Sequence, residues 1–221
     1  MKEEHAENKL KQMFLRIGSD PVFRMHSFAV LSLTWNFAYA LLHGLLSIRL
    51  YSWWHVSMCA WYVMIGLLRL YSVRNRNVSR SIMKRCGSGI IVLAAVLSGI
   101  NGMGIVEGIN PVRSLIISVA MAALTFFMSF SALRNIIKAR RSHDAYQIIL
   151  RNISLVSVTG SILSLQRSML GTFGNAADRF TLVMEACTGM AAFLIILALG
   201  ITLRRSAADN MPGRDRRSGL Q

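Results

Sequence analysis

The sequence predicts an all-α polytopic membrane protein: six transmembrane helices in three hairpins, with the N-terminus and the C-terminus both cytoplasmic. Three observations carry that prediction. Hydrophobic residues make up 53% of the 221 and charged residues only 16%, and the mean hydropathy is positive, which is too apolar for an ordinary soluble domain. The apolar residues gather in six runs of about 20, the length that crosses a hydrocarbon core of about 30 Å as helix. The Lys and Arg residues fall between those runs, on alternate loops.

The first twenty residues come before any span. Leu10, Met13, Phe14 and Ile17 recur there at helical spacing among Lys and Glu, the pattern of a short amphipathic helix on the cytoplasmic membrane surface. Gly18 ends it. Asp20-Pro21 then pairs a capping residue with a proline at the first helical turn, so the chain is set to start again. The first span is placed near 27–48. Ala38-Tyr39-Ala40 after Arg24 has the small-x-small form of a cleavage site, but the apolar run continues to Ile48, so an uncleaved helix is expected. The second to sixth spans are placed near 52–73, 87–107, 113–133, 150–171 and 182–203, together forming a six-helix domain over 21–204. Asn110-Pro111 repeats the restart device before the fourth. The segment 205–221, ending "SAADNMPGRDRRSGLQ", has almost nothing to bury and is expected to be a disordered basic tail. This layout leaves no room for a soluble catalytic domain.

The net charge of +15 would suit nucleic acid, but its distribution does not. Of the Lys and Arg residues, all but Arg49, Arg113, Arg167 and Arg179 lie in the terminal segments and in the two loops around Arg80 and Arg140. Helices that alternate in direction put those blocks on one side, which the positive-inside rule makes cytoplasmic. The basic loops are therefore read as topology signals and contacts for anionic lipid headgroups, with no nucleic-acid partner. A membrane-protein partner or a second copy of the chain remains open. Cys59, Cys86 and Cys187 form no CxxC pair, so no disulfide framework, metal site or cofactor is expected. The hairpins joined by short external connections (49–51, 108–112 and 172–181) would suit a threefold repeat, as in many transporters. The charge rhythm of any six-span protein with both ends inside explains the same spacing.

Each span also carries a small or polar face. Ser154, Ser157, Ser161, Ser164 and Ser168 fall on one stripe about 80° wide at about 100° per residue. Ser32, Asn36, Ala40, His43 and Ser47 form the matching seam of the first span; Ser52, His55, Cys59, Tyr62, Gly66 and Arg69 that of the second; Gly87, Ala94, Ser98 and Asn101 that of the third. Ser114, Ser118, Ala122, Thr125 and Ser129 follow in the fourth, and Thr181, Glu185, Thr188 and Ala192 in the sixth. Small residues let membrane helices approach closely, which accounts for such faces in a dry bundle. Seams that line a hydrated path account for them too, and for the amides and imidazoles among the serines.

"SILSLQRSML" (161–170) sets Gln166 and Arg167 inside the fifth run. Counted from Arg151, Arg167 lies roughly 24 Å along the helix, near the outer boundary, and Glu185 and Glu107 reach a similar level. Arg167 is expected either to pair with Glu185 or Glu107 in an external charge cluster or to snorkel to the outer headgroups. An intramembrane enzyme would need a nucleophile, metal ligands or paired carboxylates at one depth. His43, His55, Cys59 and Glu185 are the candidates on the outer half, and no HExxH or nucleophile elbow accompanies them. "GINGMG" (99–104) lies inside a span with no strand before it, so close packing explains it better than phosphate binding.

In "SWWHVSMCAWYVMIGLLRL" (52–70), "SALRNIIKARRS" (131–142) and "RNISLVSVTGSILSLQRSML" (151–170) the chain resembles a group of six-helix bacterial integral membrane proteins of unknown function, over most of 30–175. The resemblance implies a cell-membrane location and no activity. It also implies small residues after "SLQ", from which Arg167 departs. The functional expectation is a small transporter or channel-like protein whose path follows Asn36, His43, His55, Asn101, Ser157, Ser161, Ser164 and Gln166. Histidines that titrate near neutrality would make it pH-sensitive. The alternatives are a scaffold or accessory subunit with a dry bundle and, more weakly, an enzyme acting on lipid.

Overall fold

The computed structural model describes residues 21–75, 78–107, 115–139, 145–173 and 179–209. They form six helices: α1 (Pro21–Leu50), α2 (Trp53–Arg74), α3 (Arg80–Glu107), α4 (Leu115–Ala139), α5 (Ala145–Phe173) and α6 (Arg179–Asp209). No strand occurs among the described residues. Four of the helices, α2, α3, α5 and α6, are long and apolar enough to cross a membrane. Large apolar side chains such as Leu41, Leu45, Ile48 and Phe126 face outward, where lipid rather than water would satisfy them.

The helices overrun the apolar runs at their basic ends. α1 begins at Pro21, where the fixed φ of proline suits a first turn, and α3 begins at Arg80 rather than near residue 87. α6 continues to Asp209, so the segment expected to be a disordered tail is helical through 209, its last turns held by the buried Leu203 and Ala207. The surface helix expected over 1–20 and the tail beyond 209 lie outside the described residues.

α1 and α2 form a hairpin about Tyr51, whose φ of 48° is left-handed backbone in a residue with a side chain. The middle hairpin does not form as expected: α3 and α4 make no contact among the described residues. α3 packs chiefly on α6, and α4 on α5. The reason for the first pairing is glycine. A Cβ on Gly200 would sit 3.1 Å from the Gly87 carbonyl oxygen, and one on Gly87 would sit 3.1 Å from the Gly200 carbonyl oxygen. Gly87 opens α3 and Gly200 lies late in α6, so the two helices run antiparallel at nearly backbone contact, the geometry small residues permit in lipid.

α5 is the centre of the bundle and touches each of the other five helices. Its serine face is consequently buried from Ser154 to Ser168. At Gly160 a Cβ would collide with the Trp61 ring; without one, the indole lies against the α5 backbone and donates from Nε1 to the Leu93 carbonyl at 3.1 Å. Trp61, Ile65, Ile90, Leu97, Ile149, Ile153 and Ile196 fill the remaining core.

Candidate functional site

The polar faces converge on the bundle interior with few exceptions. Asn36, His43, His55, Asn101, Thr125, Ser157, Ser161, Ser164 and Glu185 are all buried. Ser98 is exposed, because α3 turns its buried face toward Ala94, Leu97 and Asn101 instead. Ser114 and the side chain of Ser118 lie outside the described residues, as does the side chain of Glu107.

The α1–α2 turn faces His43 toward His55, with Nδ1 to Nδ1 at 3.0 Å. One ring donates and the other accepts, so the pair holds one proton between these two nitrogens. His43 stacks on Tyr62 at 5.6 Å, and Tyr62 packs on Tyr39 at 4.9 Å. The Tyr39 hydroxyl donates to the Met121 carbonyl at 3.1 Å and meets the Thr125 hydroxyl; Thr125 in turn reaches the Ser161 carbonyl at 3.3 Å. Two hydroxyl protons thus serve three contacts. This chain of rings and hydroxyls ties α1, α2, α4 and α5 together at one level.

On the other side of His55 stands Trp54, edge-on at 5.1 Å. The Arg167 guanidinium lies over the Trp54 ring, 4.7 Å from its centroid, within the range of a cation–π contact. Arg167 also pairs with Glu185 and donates from Nη2 to the Gly104 carbonyl at 3.0 Å. With Arg167 8% and Glu185 4% exposed, the guanidinium is held inside the bundle and does not snorkel outward. Gly104 makes this arrangement sterically permissible. A Cβ there would lie 2.6 Å from Arg167 Nη1 and 2.7 Å from Trp54 Cδ1. At Gly189, one turn beyond Glu185, a Cβ would collide with the Asn101 amide.

Trp54, Asn101, Leu163, Gln166, Arg167, Leu170, Glu185 and Thr188 line a cleft with about 190 Å³ of unfilled space, too narrow in this state to seat a water molecule. Gln166 sits at its edge and donates to the Met184 carbonyl at 3.3 Å, on the α5–α6 contact rather than on the serine stripe.

Of the serines, Ser154 bonds across helices, accepting from Arg69 Nη2 at 2.7 Å, whereas the Ser157 and Ser161 hydroxyls bond within their own helix. Ser157 donates to Ile153 of its own helix at 3.1 Å and Ser161 to Val158 at 2.9 Å. Seam atoms with no hydrogen-bond partner among the described residues include both polar atoms of the Asn36 amide and His43 Nε2. The described residues contain no group of three or more His, Cys, Asp or Glu that could hold a metal ion.

No family model, curated protein or solved structure matches the chain. The site must therefore be judged on its own chemistry. That chemistry comprises a histidine pair sharing one proton between its Nδ1 atoms, a buried ion pair against an aromatic face, and an enclosed Asn36 amide with unused bonding capacity. Sequence reading named the histidines, Arg167 and Glu185 but missed Tyr39, Trp54 and Gly104. Tyr39 had a signal in its spacing, three residues after Asn36 and four before His43, the same helical face. Trp54 had none, since it adjoins His55 and lies off the seam by about 100°.

Proposed function

We propose that the chain is a six-span cell-membrane protein with both ends cytoplasmic. We infer that it is a transporter or channel-like protein carrying a small polar solute along the Asn36, His43, His55, Asn101, Ser157, Ser161 and Ser164 faces. Anionic lipid headgroups lie against its basic cytoplasmic loops. The cleft at Trp54, Arg167 and Glu185 is the closed outer end of this path, with Gln166 at its rim.

The observation that carries this reading is the buried Asn36 amide, which has no hydrogen-bond partner among the described residues. A buried amide without partners costs about 1–3 kcal/mol by protein mutational measure, more in hydrocarbon. Asn36, fully enclosed with neither its oxygen nor its nitrogen bonded, is a poor residue for a permanently dry bundle. Water or a solute entering as the helices part would supply the missing bonds. The His43–His55 pair, in ring contact with Trp54 and through it with Arg167, would couple such an opening to a proton.

A second reading, the scaffold with a dry bundle, is favoured by the tight closure of the cleft. Thiol accessibility separates the two. Cysteine is placed in turn at Ser154, Ser157, Ser161, Ser164 and Ser168, in a background lacking Cys59, Cys86 and Cys187, and challenged with a membrane-impermeant polar reagent in intact membranes. Transport predicts labelling along the stripe that skips Leu155 and Leu165. Protection at Ser157, Ser161 and Ser164 would sink it and leave the scaffold.

A further inference from the structure

The histidine cluster occupies one end of α2, and Arg69 lies near the other, about 21 Å from His55 along the helix. Arg69 is 1% exposed. Its Nη2 donates to Ser154 Oγ at 2.7 Å, while Nε and Nη1 have no hydrogen-bond partner among the described residues. Ser154 gives its own proton to the Leu150 carbonyl at 2.8 Å, so it answers Arg69 only as an acceptor. The Tyr146 phenol, also buried, is within electrostatic reach and offers a neutral dipole, not a countercharge. Glu185, the acidic residue whose side chain is described, is engaged with Arg167 at the far end.

A guanidinium does not shed its charge in a protein, so burial cannot be relieved by deprotonation. Its remaining donors need an acceptor, and its charge needs a counterion. The planar fork suits a tetrahedral or planar oxyanion. Arg69 precedes the end of α2 at Arg74 by little more than one turn, and Arg74, Arg80, Lys84 and Arg85 follow it in the chain, a positive field that draws anions toward this end.

The geometry points to Arg69, with Ser154 and Tyr146, as a binding site for a phosphate-type oxyanion at the inner end of the bundle, carried either by a phospholipid headgroup or by a free anion. The site stands whether or not a solute crosses the protein.

The test uses the full chain purified in a neutral maltoside detergent. Thermal unfolding is followed while sodium phosphate is added against sodium chloride of equal ionic strength, and separately while phosphatidylglycerol is added against phosphatidylcholine. A filled site raises the midpoint by about 2–4 °C near saturation. Phosphate acting alone identifies a free-anion site, and phosphatidylglycerol acting alone identifies a headgroup site. The rise is expected to vanish in Arg69→Gln, to need roughly tenfold more anion in Arg69→Lys, which keeps the charge without the fork, and to persist in Arg74→Gln. Should Arg69→Gln fail to fold, the lysine variant and the wild-type titration decide. A flat wild-type response to both additions would mean that the chain supplies its own counterion and would overturn the site. An equal loss in Arg74→Gln would overturn it as well, reducing the effect to general surface charge.

Discussion

The two buried arginines among the described residues live under opposite conditions. Arg167, beside Trp54 at the start of α2, has a carboxylate, a backbone carbonyl and an aromatic face around it. Arg69, toward the other end of α2, has one serine oxygen and a phenol among the described residues. The same side chain at similar burial is therefore a finished internal structure in one place and an open request for a ligand in the other. What distinguishes them is the company supplied by neighbouring helices. α3 and α6 bring Gly104 and Glu185 to Arg167, whereas α5 brings Arg69 only hydroxyl groups.

The contrast is most sharply tested by removing the countercharge. Glu185→Ala leaves Arg167 uncompensated in the interior and is expected to cost about 3–5 kcal/mol, the usual result of breaking a buried pair from one side. The double variant Arg167→Met with Glu185→Leu is expected to recover most of that loss, since two apolar residues need no partner. Reversible unfolding of the purified protein in mixed detergent reads both. Equal stability of Glu185→Ala and wild type would mean that the Arg167 site tolerates a bare charge and that the two arginines do not differ.

A smaller effect is expected from the space that admits the guanidinium. Gly104→Ala forces a methyl against Arg167 Nη1 and Trp54, a packed group on each side, and is expected to cost about 1–3 kcal/mol. Gly99 belongs to the same helix, and a methyl added there would meet nothing within 4 Å. Gly99→Ala is therefore expected to be neutral or to stabilise by about 0.5 kcal/mol through helix propensity. If both substitutions behave alike in the same unfolding assay, Gly104 is not there to make room for the ion pair.

The helices and the polar faces were legible in the sequence because both rest on local periodicity. The apolar runs announce helices, and Ser154 to Ser168 repeat at three and four residues, which places them on one side whatever the fold. Partner choice was not legible. Short connections favour sequential hairpins, yet α3 lies on α6 because Gly87 and Gly200 admit a backbone approach that nothing in the order of the chain states. Arg167 was open between pairing and snorkelling for the same reason: its outcome depends on Glu185 arriving from another helix. The condition of Arg69 is further still from the sequence, where it closes the polar seam of the second span and borders a basic loop, with nothing to say what it meets. A missing partner has no letter.

The smallest effect tests the Arg69 site from the opposite direction. In a neutral detergent free of phosphate and anionic lipid, Arg69→Met removes a charge and the unanswered donors at Nε and Nη1 while keeping an unbranched apolar stem in the same space. Ser154 keeps its bond to the Leu150 carbonyl, so no hydroxyl proton is stranded. The variant is expected to be more stable than wild type by about 1 kcal/mol, and that advantage is expected to shrink or reverse once phosphate or phosphatidylglycerol is added, because only the wild type has a fork to bind it. Replacing Arg167 by Met alone strands Glu185 and must destabilise. Opposite signs for one substitution at the two arginines would establish that burial and charge are the same in both and that the supply of acceptors is what differs. A loss of stability in Arg69→Met under anion-free conditions would place Arg69 beside Arg167 as a satisfied part of the bundle.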